Sequence, residues 1–137
     1  MKRLLLLLTV FSFWYGCSYE DKPKYSAIAD FIGEWKLEIR TLNNSLPIES
    51  GEESLIFSED NNFEDLIGRY TLTSDTETSG LFFVTGLPYD LNFESTSGEL
   101  LTSSFNILDG ILTLEYQNNN GDNVREIWRK AFYHETE

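Results

Sequence analysis

From Gly33 onward the chain alternates apolar and polar positions in short runs, each broken by turn-forming residues. Period-two alternation predicts strands with one buried face. "GEWKLEIRT" puts Trp35, Leu37 and Ile39 on one face and Lys36, Glu38 and Arg40 on the other. "ESLIFSED" sets Leu55 and Phe57 against Ser54, Ile56 and Ser58, and "FEDLIGRYTLT" aligns Leu66, Gly68, Tyr70 and Leu72. Gly68 inside such a run suggests a bulge or a sharp bend. "GLFFVTG" is apolar on both faces, and "PYDLNFES" turns Tyr89, Leu91 and Phe93 one way and Asp90, Asn92 and Glu94 the other. "ELLTSSFNI" follows, then Asp109-Gly110, a strong two-residue hairpin signal. "ILTLEY" aligns Leu112, Leu114 and Tyr116, and "VREIWRKAF" is the eighth and last strand.

A helix is predicted only at the start, over "SAIADFIG", with Ser26 as N-cap and Gly33 as terminator. Eight short antiparallel strands with regular turns predict an all-β fold, an up-and-down barrel or a sandwich. Closing the sheet removes unpaired edges, which favours the barrel, with the short helix at its N-terminal end. An eight-stranded barrel is either filled by its own side chains or holds one small ligand.

The segment before this domain has a different character. Lys2 and Arg3 precede the apolar run "LLLLLTVFSFWYG", which has the length of a secretory signal and is too short to span a bilayer. Cys17, the chain's one cysteine, stands where that run ends, after Gly16. The arrangement resembles a bacterial lipoprotein signal of the Bacteroidetes type, although Trp14 and Tyr15 stand where the usual pattern has Leu and a small residue. The resemblance implies that residues 1–16 are a signal peptide removed in maturation. Cys17 then carries acyl chains such as palmitate, and residues 17–25 form the tether. The expected location is the outer membrane, lipid-anchored; Glu20 and Asp21 after the cysteine resemble the export signal for the cell surface, with a solvated tether carrying accidental acids as the competing reading. A single cysteine cannot close an internal disulfide, and lipidation would cap a thiol otherwise left free. An ordinary secretion signal with a stray cysteine is the competing reading.

Removing residues 1–16 leaves 121 of 137 residues, one domain of ordinary size, spanning 26–137 beyond the tether. With 41% hydrophobic and 15% aromatic residues the chain can build a packed core. The formal charge of −13 falls to −15 with the loss of Lys2 and Arg3. Such a surface repels phosphate backbones, so no nucleic-acid partner is expected.

Two features at the ends of the predicted barrel resemble the lipocalin-like (calycin) family. "FIGEWKL" gives Gly33-x-Trp35 after a helical turn, and "EIWRKAF" in the last strand carries Arg129 and Lys130. The resemblance implies a short helix closing the barrel base, Trp35 plugging it, and a basic side chain from the last strand lying across the indole. Arg129 is the first candidate for that lid, with Lys130 and Arg125 as the others. An indole buries a large area and needs a partner for its N–H, and a cation over its face adds attraction. Residues 26–133 fall within the resemblance; the family's mid-chain Thr-Asp-Tyr and its cysteine pair are absent.

Little catalytic chemistry is available. The chain has one histidine, His134, in the tail "YHETE"; the count excludes a multi-His metal site, and a lone tail histidine is far more often a solvated residue than the partner of a nucleophile. Asp60, Asn62 and Glu64 alternate as in a calcium loop, but Asp65 stands where glycine is needed and Thr71 where glutamate is needed. Neither enzymatic activity, metal nor cofactor is expected. The expected function is binding of a small apolar ligand, with Phe83, Tyr89, Phe93, Phe105 and Tyr116 as candidate lining residues. The alternative is a filled barrel contacting an envelope protein or glycan through acidic loops such as "PIESGEES" and "SDTETSG".

Overall fold

A computed structural model describes residues 28–48, 51–62, 64–86 and 89–131 of the chain. Eight strands follow one another: β1 (Gly33–Leu42), β2 (Ser54–Glu59), β3 (Ile67–Thr73), β4 (Glu77–Thr85), β5 (Asp90–Ser95), β6 (Leu100–Leu108), β7 (Ile111–Gln117) and β8 (Asn123–Lys130). Each pairs antiparallel with the next, and β8 pairs back onto β1, so the sheet is a closed up-and-down barrel. Closure leaves no strand edge open to another chain. Asp109 and Gly110 both have positive φ, 51° and 73°, as the type I′ turn between β6 and β7 demands.

The described residues contain no helix. Residues 28–31 form a single turn, closed by Phe31 N donating to Ile28 O at 3.0 Å. Ser26, the predicted cap, lies outside the described residues, as do Cys17, the tether and His134. The turn still closes the base. Ile28 and Phe31 are buried in the core, and the Phe31 ring meets Phe57, Phe82 and Phe105 at 5.2–5.6 Å between centroids. Gly68 is not a bulge, since its register with β2 and β4 is continuous. It is the gap that admits the turn: a Cβ there would lie 2.6 Å from Ile28 Cδ1 and 2.4 Å from the Phe82 ring.

The lower half of the barrel is packed solid by Trp35, Phe57, Phe82, Leu91 and Leu112, all essentially without exposure. All eight strands and the whole described core lie within residues 28–131.

One departure from strict alternation changes the interior. The β1–β8 register shifts between Leu37 and Ile39, where Glu38 is an extra residue in a β-bulge. Ile39 therefore points outward, 37% exposed, and Arg40 points into the barrel opposite Glu126. This reverses the faces that simple alternation predicts for both residues.

Candidate binding cavity

The base motif assembles with one substitution of roles. Trp35 is fully buried and its Nε1 donates to Phe31 O at 2.7 Å, tying β1 to the closing turn. Gly33 has φ +126°, a conformation that side chains rarely adopt, where the chain leaves the turn for β1. The cation over Trp35 is Lys130, with Nζ 5.2 Å from the ring centroid and donating to Asp30 O at 3.2 Å. Arg129 is one residue out of phase: it pairs with Glu38 on the outer surface and does not reach the indole. Lys130 and Trp35 are direct cross-strand partners, which is why that residue supplies the lid.

Above the packed base the barrel opens into a cavity of about 600 Å³. Its floor is Leu55, Phe93, Leu114 and Trp128, and Leu72 and Leu101 continue the apolar wall. The volume and lining fit a pocket for one small molecule. Of the aromatics singled out in sequence, Phe93 and Tyr116 line this cavity. Phe105 packs into the base against Phe31. Phe83 and Tyr89 do not line it: Phe83 alternates with inward-facing Phe82 and so faces out, and Tyr89 is 57% exposed in the turn before β5. Each of the three is excluded by its phase or its place at the base.

The opposite wall carries a charge cluster that the bulge makes possible. Arg40 grips Glu53 with Nη1 and Nη2, at 2.7 and 2.8 Å, and donates from Nε to Glu126 Oε1 at 2.8 Å. Tyr116 OH also donates to Glu126 Oε1, and Trp128 Nε1 to Oε2, each at 3.0 Å. Glu126 is 4% exposed, yet both its oxygens are satisfied. Hydrogen bonding to Glu53 is the main cause that raises the Arg40 pKa, with Glu126 adding to it, so the guanidinium is held charged. Burial first, then the charge of Glu126, pushes the Tyr116 phenol well up, so it stays a neutral donor.

Sequence reading placed Arg40 and Glu126 in no site. A signal for Glu126 existed: it alternates with Val124 and Trp128 on an inward face, and an acid there demands a cation. Arg40 had no such signal, because the bulge cannot be seen in the alternation.

Around the calcium-like stretch, Asp60 Oδ1 accepts from Asn62 N, and Asp65 accepts from Asn62 Nδ2 and Ile67 N. These carboxylates cap their own turn, and among the described residues no group of acids, histidines or cysteines is placed to hold a metal. No family model, curated protein or solved structure matches the chain. What is established is the class: an eight-stranded antiparallel barrel, closed at one end, with a cavity at the other.

Proposed function

We propose that this chain is a non-enzymatic binding protein with a lipocalin-like barrel, held at the outer membrane through acylated Cys17, whose cavity takes one small apolar molecule. The cavity carries the reading. A barrel built only as a rigid platform would be filled along its length, whereas here the packing stops at Trp128 and Phe93 and leaves about 600 Å³ open above them. The location rests on the position of Cys17 at the end of the apolar run.

Titration of the chain from Ser18 onward with the uncharged dye N-phenyl-1-naphthylamine tests the cavity. The expected result is saturable binding in the micromolar range, lost or weakened at least about tenfold in Leu101→Trp, which fills the space. A dye that does not bind the folded wild-type barrel sinks the carrier reading and favours contact with an envelope protein or glycan. The anchor is tested separately in cells by labelling the full chain with radioactive palmitate. Label should enter the wild type and be absent from Cys17→Ser; equal labelling of both would rule out Cys17 as the acylated residue.

A further inference from the structure

The chemistry of the cavity narrows the occupant further, provided the cavity is a ligand site as argued above. An apolar pocket with one buried arginine ordinarily invites a carboxylate or phosphate. Here that arginine is already committed. Arg40 holds Glu53 with both terminal nitrogens and Glu126 with Nε, so an incoming anion would have to displace a carboxylate from it. The cluster itself carries two negative charges against one positive.

The mouth adds to this. Its turns, over the described residues 43–48, 51–53, 74–76, 96–99 and 118–122, contain Glu52, Glu53, Asp75, Glu99 and Asp122 and no lysine or arginine. Glu99 lines the cavity, and its side chain has no hydrogen-bond or ion-pair partner among the described residues. Facing the same space is Tyr70, only 6% exposed, its ring edge-on to Phe93 at 5.1 Å. The Tyr70 hydroxyl has no hydrogen-bond partner among the described residues either. The hydroxyl is accessible from the cavity, not sealed in the core, and so is available as an acceptor to an occupant. Burial first, then the charge of Glu99, raises its pKa, so it meets a ligand as a neutral hydroxyl.

We propose that the cavity takes a cationic amphiphile, its ammonium head between the Glu99 carboxylate and the Tyr70 hydroxyl and its apolar body on Phe93, Leu101, Leu114 and Trp128. The ammonium donates to both oxygens. A carboxylate head in the same place would face Glu99 with no free cation to offset the repulsion.

The test compares decylamine, decanol and decanoate, which share a tail and differ in head charge, by calorimetry at neutral pH and physiological salt. The chain from Ser18 onward is used. Decylamine should bind at least about tenfold tighter than decanoate, ~1.4 kcal/mol, with decanol between them. Glu99→Gln, an exposed rim substitution, should cut the lead of the amine over the carboxylate to about threefold or less. Decanoate binding as tightly as decylamine, or an amine lead untouched by Glu99→Gln, overturns the proposal. In either case decanol binding keeps the cavity reading alive. If none of the three binds, the cavity reading fails and takes this inference with it.

Discussion

Glu126 is a single acid on an otherwise apolar stripe, and three side chains depend on it. Replacing it with alanine would leave Arg40 half-paired and strip the acceptor from Tyr116 OH and Trp128 Nε1. Breaking a buried ion pair by deleting one partner costs about 3–5 kcal/mol. Glu126→Ala should therefore lower stability by about 3 kcal/mol in a urea titration, and a loss under about 1 kcal/mol would show that the cluster is solvated. Tyr116 makes the same environment visible as a pH effect. Its folded pKa lies above the unfolded value, by burial first and Glu126 second, so the unfolded chain loses this proton from about pH 10 while the folded chain retains it. The folded state then binds more protons, and stability falls as pH rises through that range. Tyr116→Phe should flatten the fall above about pH 10, measured as the shift of the urea midpoint with pH. A smaller slope of the same sign should persist from Tyr70, raised by burial and then by Glu99.

Among the elements, β1 is the one whose regularity is broken to a purpose. Its bulge sets Trp35 and Leu37 inward, Glu38 and Ile39 both outward, and Arg40 inward again. Removing one residue from a bulge restores regular pairing without turning the rest of the strand over, whereas removing one from a regular stretch inverts everything on one side of it. Deleting Glu38 should thus leave a folded barrel, at a cost below about 2 kcal/mol, with Arg40 still inside. Deleting Lys36, two residues away, should turn Trp35 out of the base and abolish the cooperative thermal transition. Equal tolerance of both deletions would contradict the register.

The same strand shows how far sequence reading goes. The strands and the Asp109-Gly110 hairpin were legible because alternation and turn chemistry are local, and the inward faces of β2 and β7 follow directly from Leu55-Phe57 and Leu112-Leu114-Tyr116. The base plug was legible through Trp35, but its cation was misplaced by one residue, since only the cross-strand register distinguishes Lys130 from Arg129. Of the cavity wall, Phe93 and Tyr116 were legible, but the pairing of Arg40 with Glu126 was not. That pairing depends on the extra residue Glu38, which turns Arg40 inward to meet an acid eighty-six positions later, and neither local pattern reports the other. Aromatics were over-assigned to the cavity for a related reason: composition cannot tell the base from the mouth, and Phe105 fills one while Phe93 floors the other.

At the scale of the whole molecule, closure depends on β8, which completes the sheet against β1 and β7 at once. A chain ending at Asp122 would expose the edges of both neighbours and lose Trp128 from the floor and Lys130 from the base. Such a product should elute as aggregate on size exclusion; a folded monomer would show that seven strands suffice.

Both ends of the described segment leave from the plugged side. Ile28 enters beside Trp35, and Ala131 N donates to Glu34 O at 2.8 Å on the same rim. The mouth lies at the far end of every strand. A bead, sensor chip or fluorescent tag joined directly at Ile28 or Ala131 would therefore hold the molecule like a cup by its foot, rim outward. Exchange through the rim should then proceed at the same rate whether the barrel is fixed to a surface or free in solution.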